Sequence, residues 1–397
     1  MNPSKAPASL SLLRAPPFPQ LVKRPLGQRS ADQPITADKR EALFAAVREA
    51  QVGGEFWARP WCPDMSQASL APHVIIRASN EREAAQALDQ LGESPALTVA
   101  PNPSHDPVDP WSLLPHARHL IAHGDDEWIA LATILGLDVH VLSSGSYAEI
   151  GDTLEKREAR SLAALCVEME DPFGHGWLDP EEAISLLGDW RRVIDGNRGA
   201  AGDRIAAASG MSWWKREEIR RFLWSPGKPL KMPLATSRAL DAASRGGGAL
   251  AIWPSRVSSS LIAAADRAKV KLVRVEDGFV RSVGLGSNLV PPLSVIVDWQ
   301  GIHYDPSAPS DLETILARTE FSATTLKRAA RLRATIVSAR ISKYAAGETR
   351  TQEPAEPERR AGTSKRVVLV PGQVEDDMSV LSGGGGLTSN LELLRRT

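Results

Sequence analysis

Cysteine, membrane-length apolar runs and an excess of either charge are what this chain of 397 residues has little of. Its 2 cysteines, Cys62 and Cys166, lie far apart and neither sits in a CxxC pair, which excludes a disulfide framework and the usual zinc spacings. A reducing, cytoplasmic setting fits that pattern. No segment approaches the roughly twenty apolar residues of a membrane span, and none near the start has the length of a signal-peptide core. Any membrane association is therefore expected to be peripheral. Lys and Arg total 47 against 48 for Asp and Glu. They are scattered rather than striped, so there is no electrostatic footprint for nucleic acid. Glycine fingerprints are missing too: Gly284-Leu285-Gly286 does not continue as GxGxxG, and the glycines at 383–386 lack the lysine of a P-loop. A dehydrogenase-like nucleotide binder is disfavoured on that ground.

What is present suits a globular α/β protein. Hydrophobic residues make up 42% of the chain, enough for ordinary cores, and the length predicts two or three domains. Residues 1–35 are rich in proline, lysine and arginine and read as a disordered basic arm, either a solvated tail or a contact to anionic lipid. Residues 36–150 read as an α/β domain of unassigned role, with helices over 39–50 and 81–91 and strands over 73–77 and 96–100. Within it, residues 119–142 spell strand, acidic turn, amphipathic helix, strand, a unit that belongs in a nucleotide-type domain. Asp125, Asp126 and Glu127 are read as caps complementing the helix dipole rather than as a site. His116, His119 and His123 are read as surface or packing histidines, and no metal site is read from the sequence.

Residues 151–234 read as a helical connector. Asp179, Pro180 and Glu182 specify a helix start with a capping box, and Ile184, Leu187, Trp190, Val193 and Ile194 form one apolar face. Trp213, Trp214, Phe222 and Trp224 could stack on sugar rings, but at helical spacing they read as core. Residues 235–346 form a further α/β domain, 347–364 a polar linker, and 365–397 the opening of a second Rossmann-like domain, with a strand over 366–370.

Chemistry concentrates in residues 275–313, VEDGFVRSVGLGSNLVPPLSVIVDWQGIHYDPSAPSDLE. Strands over 249–253 and 271–275 with helical composition between them make a parallel strand, helix, strand unit, and ligands gather at the C-terminal ends of such strands. Glu276, Asp277, Gly278 and Arg281 emerge there. On residue logic they are either a binding site, with Arg281 as clamp for an anionic sugar or phosphate, or a tight turn in which the carboxylates bond backbone, Gly278 supplies positive φ and Arg281 pairs with one carboxylate. Pro291 and Pro292 mark a turn, residues 293–299 a strand with residues 301–304 as a possible hairpin arm, and Ser310 caps a helix. A long helix is expected over 324–346.

The run Glu276-Asp277-Gly278-Phe279-Val280-Arg281-Ser282, then Pro291-Pro292-Leu293-Ser294, Gly301-Ile302 and Tyr304-Asp305, resembles the hallmark of capsule polysaccharide biosynthesis proteins of the KpsC and LipB type. Pro371-Gly372-Gln373-Val374-Glu375-Asp376-Asp377-Met378-Ser379 resembles the family's second segment. The resemblance covers roughly residues 171–397. It implies GT-B-like Rossmann-type domains, the second lobe incomplete, and transfer of Kdo, an acidic keto sugar, from CMP-Kdo to a lipid-linked glycan, with capsule export machinery at the inner membrane as a further partner and no cofactor. By the same resemblance Asp377 is the candidate nucleophile, Glu276 or Asp277 the candidate acceptor base, and Arg281, Ser282, Gln373 and Ser379 candidate substrate-binding residues. The alternatives for Glu375, Asp376 and Asp377 are a solvated acidic turn, and for the protein a noncatalytic assembly or export factor that binds glycan or a partner transferase. The family's Lys-Pro-His-Pro type segment and further glycine-rich loops do not occur in these residues, so residues 1–397 alone are expected not to turn over CMP-Kdo.

Overall fold

The computed structural model describes residues 11–31, 37–61, 73–91, 96–99, 107–174, 176–199, 203–284, 288–321, 323–343 and 368–397. The chain divides into two compact units, Met1–Gly202 with Ser225–Gly227, and Asp203–Trp224 with Lys228–Thr397.

The first unit opens with α1 (Pro19–Lys23) and the short strand β1 (Gln28–Ser30), followed by α2 (Ala37–Ala50). A parallel sheet is then built from β2 (Val74–Arg77), β3 (Ala96–Thr98), β4 (His119–Ala122) and β5 (Asp138–Val141) in the order β3-β2-β4-β5. Helix α3 (Glu81–Leu91) links β2 to β3, and α4 (Trp128–Leu135) links β4 to β5. Seven consecutive residues of α4, Trp128 to Ile134, are buried, so this helix is apolar all round because it runs through the unit's interior. Helices α5 (Leu154–Leu165) and α6 (Pro180–Gly196) flank β6 (Val167–Glu170) and β7 (Trp177–Leu178). The capping box of Asp179 and Glu182 is formed as expected at the start of α6. Farther along α6, Arg191 reaches Asp109 at 2.8 Å in a buried pair and donates to the carbonyl of Gln51 at 2.9 Å.

The second unit is a four-stranded sheet in the order β11-β10-β9-β8, made of β8 (Ile205–Ser209), β9 (Ala249–Ile252), β10 (Leu272–Asp277) and β11 (Val295–Asp298). The first three strands are parallel and β11 is antiparallel to β10. Helix α7 (Arg216–Phe222) follows β8, α8 (Thr236–Gly246) precedes β9, and α9 (Ser259–Arg267) joins β9 to β10. The alternation of a strand divides β9 between two cores. Leu250 and Ile252 pack with Ala239, Leu261 and Ala265 of the helices, whereas Ala251 and Trp253 face Ile219, Leu223, Val273 and Val275. Helices α10 (Asp311–Arg318), α11 (Ala323–Ser338), α12 (Met378–Leu381) and α13 (Asn390–Arg396) complete the unit.

One buried carboxylate ties the loop after β11. Asp298 is 1% exposed. It accepts from the amides of Gln300 (3.0 Å), Gly301 (2.7 Å) and Asp311 (3.1 Å), the last being the first residue of α10. Asp311 answers by accepting from Trp299 N at 2.7 Å. Asp298→Ala would leave three amides without their acceptor, so it is expected to cost about 2–4 kcal/mol of unfolding free energy. Urea denaturation reads this directly, and a loss below about 0.5 kcal/mol would show the loop to be held by other means.

Several expectations need correction. Residues 11–31, read as part of a disordered arm, are folded. Leu12 and Leu13 are fully buried, the amide of Leu12 donates to Ala164 at 3.1 Å, and β1 pairs antiparallel with β6. Burying two leucines is worth about 2–3 kcal/mol each, which outweighs the proline-rich composition around them. The span read as helical connector contains β6, β7 and β8. β8 reads IAAAS, and alanine favours helix when judged alone, but full burial between two layers makes it a strand. Residues 301–304 form an irregular segment ending in a turn at 303–304 rather than a hairpin arm, and residues 368–370 are not in a strand. The linker at 347–364 lies outside the described residues, as do 366 and 367 and Cys62.

Candidate functional site

The C-terminal ends of β8, β9 and β10 open on one edge of the second unit, and the residues just beyond them form the site. After β8 a tight turn at Trp213–Lys215 delivers Lys215, after β9 comes Trp253, and β10 ends on Glu276 and Asp277. Lys215 is 6% exposed, with its ammonium 3.0 Å from the centroid of the Trp253 ring and 5.3 Å from that of Trp214. Burial pushes its pKa down to about 8, against the pull of Asp277 and Glu276. Trp213, expected in the core, stands 75% exposed, and Trp214 is half-buried beside the two cations Lys215 and Arg281.

Glu276 and Asp277 sit within the β10–β11 ladder, opposite Ile296 and Val295. Burial pushes the Glu276 carboxyl above its ordinary range, opposed by the Asp277 amide that it accepts at 3.0 Å and by the charges of Lys215 and Lys343. Asp277 approaches the guanidinium of Arg281 at 2.8 Å. Arg281 is 1% exposed. Its terminal nitrogens donate to Ser282 Oγ (2.6 Å) and to the carbonyl of Val290 (2.9 Å), and Ser282 in turn donates to the carbonyl of Gly284 at 2.9 Å. Both residues therefore hold the loop from inside, the arrangement given above as the tight-turn reading. Gly278 serves that turn for a reason other than positive φ: a Cβ there would fall 2.1 Å from Ser294 Oγ, so only a hydrogen fits.

A second wall comes from residues 301–305 and from the loop at 371–379. Phe279, His303 and Tyr304 stack edge to face, with ring centroids 5.2 Å and 5.3 Å apart. Burial lowers the His303 pKa, helped by Lys343. Burial raises the Tyr304 pKa, and the charges of Glu276, Asp305 and Asp377 add to the rise. The last of these brings the two sequence motifs together, since Glu276 and Asp377 act on one side chain. Gly383 approaches so closely that a Cβ there would lie 2.6 Å from the Tyr304 carbonyl oxygen.

Asp377 caps α12 and accepts from the Ser379 amide (2.8 Å) and hydroxyl (2.6 Å). Those bonds hold its carboxyl below the usual range, and Lys343 adds to the effect. The Ser379 hydroxyl also lies 2.9 Å from Gln373 Oε1. Gln373 is fixed in turn by Asn390, whose side-chain oxygen accepts from its amide at 2.9 Å and whose side-chain nitrogen donates to its carbonyl at 2.8 Å. The structure thus joins Gln373, Asp377 and Ser379 in one network and Asp277, Arg281 and Ser282 in another. Sequence reasoning missed Lys215, His303, Lys343 and Asn390, and quoted Tyr304 without giving it a role. Lys215 was hidden because the alanine-rich β8 was taken for helix; read as a strand, it would have placed Lys215 at the sheet's C-terminal edge.

An α/β unit with carboxylates and a buried lysine just beyond its parallel strands, walled by aromatic rings, is the setting in which such folds place polar ligands. Residues 248–397 match the family described as capsule polysaccharide biosynthesis protein. It is 37% identical over 186 residues to the capsule polysaccharide modification protein LipA of Neisseria meningitidis serogroup A, a match covering 47% of this chain and 25% of that protein. It is 43% identical over 134 residues to the lipopolysaccharide-processing protein LpsZ of Rhizobium meliloti, covering 33% and 29%. These matches span about a quarter of the length of those relatives. Among solved structures, it is similar to the KpsC beta Kdo 2,7 transferase of Thermosulfurimonas dismutans, with 31% identity, a TM-score of 0.33 and 48% and 55% of the two chains covered. The beta Kdo 2,4 transferase of the same organism gives 29% identity, a TM-score of 0.35 and coverage of 44% and 51%.

Proposed function

We propose that this protein acts in capsule polysaccharide biosynthesis as a retaining glycosyltransferase of GT-B type, moving Kdo from CMP-Kdo to a lipid-linked glycan. One observation supports the reading most directly: the Asp377 carboxylate is fixed by the Ser379 amide and hydroxyl at 2.8 and 2.6 Å in a segment that packs through Gly383 on Tyr304, while Glu276 is a half-buried carboxyl at the end of β10, and hydrogen bonding and burial push the two carboxyls in opposite directions. Such a pair divides acid-base and nucleophilic work. In this mechanism the Asp377 carboxylate attacks the anomeric carbon of Kdo, the bond to the CMP phosphate oxygen breaks, and CMP leaves with its electron pair. Glu276 then takes the proton of an acceptor hydroxyl whose oxygen displaces Asp377, and two inversions give retention. Asp277, held against Arg281, orients the loop rather than moving a proton. Gln373 and Ser379 keep Asp377 ionised and aimed, while Arg281 and Ser282 shape the binding wall.

Among the described residues no helix is long and apolar enough to cross a membrane. Peripheral placement at the inner membrane face, next to the export machinery and the lipid-linked acceptor, belongs to the same proposal. The test uses membranes from the native host with the gene intact or deleted. Donor-dependent incorporation of Kdo into lipid-linked glycan should disappear on deletion, and the protein should wash off intact membranes in high salt. Incorporation that survives deletion while capsule export fails would sink the transferase reading in favour of a noncatalytic assembly factor.

A further inference from the structure

Eight buried side-chain nitrogen or oxygen atoms among the described residues have no hydrogen-bond partner, and Asp277 Oδ1, Arg281 Nε, His303 Nδ1 and Tyr304 Oη are four of them. Arg281 Nε lies 2.8 Å from Asp277 Oδ2, so it has a charge partner if not an aligned bond. Tyr304 Oη and His303 Nδ1 have neither. Buried polar atoms are almost always satisfied, because an unmade bond costs about 1–3 kcal/mol. The exceptions clustered on the wall beside Glu276 and Asp377 are atoms closed to solvent, and a polar ligand that parts the stacked rings would supply their missing partners.

We infer that Tyr304 Oη and His303 Nδ1 are sugar-contacting groups that read the hydroxyls of the transferred sugar. The inference rests on the function proposed above and adds specificity residues to it. Tyr304 offers a hydroxyl donor on a ring packed at 5.3 Å against His303, which is in turn packed at 5.2 Å against Phe279. Both polar atoms are thus carried on stacked rings and pre-oriented at little cost in side-chain entropy. Burial keeps Tyr304 protonated and His303 neutral around neutral pH. In those states the pair presents an uncharged donor and a ring nitrogen able to donate or accept, the chemistry that binds vicinal hydroxyls. The phosphate of a nucleotide would instead call for a cation.

The orphan state gives this inference a sharp test. A tyrosine hydroxyl bonded within the protein would lose stability on replacement by phenylalanine, whereas an unpartnered one would not. The 397-residue chain and its Tyr304→Phe variant are titrated with free Kdo by NMR, and their melting temperatures are compared. The expected result is an unchanged or slightly higher Tm with roughly 10-fold weaker Kdo binding. His303→Asn, which keeps a polar atom near the Nδ1 position, should bind within about 3-fold of the parent, and His303→Leu should fall with Tyr304→Phe. Equal Kdo binding by the parent and Tyr304→Phe would overturn the inference while leaving the sugar-transfer reading intact. A fall in Tm for Tyr304→Phe would overturn it as well, by showing a structural hydroxyl. A parent chain that binds no Kdo would overturn the inference, while the transfer reading stands or falls on the gene-deletion test.

Discussion

An Asp377→Asn protein, made at the chromosomal locus, is expected to accumulate normally and to lose Kdo transfer by about 10^3-fold or more. Asparagine is the informative replacement because Asp377 caps α12 and accepts from the Ser379 amide at 2.8 Å. The amide oxygen of asparagine keeps that cap, which is worth about 1 kcal/mol, while removing the nucleophilic charge. Transfer at the parental rate would take Asp377 out of the mechanism and leave the acidic turn as a solvated loop. The pH dependence sharpens the test. The Ser379 hydroxyl and amide hold the Asp377 carboxyl below the usual range, so Ser379→Ala should raise its pKa. The acid limb of the transfer profile would then move to higher pH, since the carboxylate must be ionised to attack.

The second large effect concerns stability. Arg281→Met removes a guanidinium that is 1% exposed and lies 2.8 Å from Asp277. The carboxylate loses its charge partner, and Ser282 and Val290 lose donors at 2.6 and 2.9 Å. Breaking a buried pair in this way costs about 3–5 kcal/mol, to be read as a fall in the urea midpoint. Arg281→Lys should not rescue it, because an ammonium cannot reproduce the fork that serves three acceptors. Adding Asp277→Asn to Arg281→Met should recover part of the loss, as expected for coupled neighbours. A cost under about 1 kcal/mol for Arg281→Met, together with weaker sugar binding, would instead return Arg281 to the role of ligand clamp.

The elements legible in the sequence were those whose local chemistry agrees with their tertiary setting. The capping box at Asp179 and the helix cap at Ser310 formed as read, as did the parallel pair β9 and β10 and the β4, α4, β5 unit. Position at the C-terminal end of β10 was enough to pick out Glu276 and Asp277. The failures fall where tertiary burial overrules composition. Leu12 and Leu13 fold a proline-rich arm, and β8 turns an alanine run into a strand. The candidate site was half legible: Glu276 and Asp277 carried a signal in their position and Asp377 only in the family resemblance, but nothing in the sequence spacing says that Tyr304 lies where Glu276 and Asp377 both act on it. Lys215 was hidden by the alanine-rich β8 before it, and Asn390 was invisible because it works through Gln373, remote in sequence.

Asn390 places a constraint on chain length. Surface loops commonly tolerate inserted or deleted residues, and the glycine-rich stretch between α12 and α13 looks like such a loop. Yet Asn390 at the start of α13 grips both backbone polar groups of Gln373, whose side chain meets the hydroxyl that fixes Asp377. The stretch is a measured strap between two anchor points. Adding or removing one residue at 382–388 would rotate the grip and misalign a carboxylate that none of those residues touches. Relatives should therefore vary in the identity of these residues far more readily than in their number.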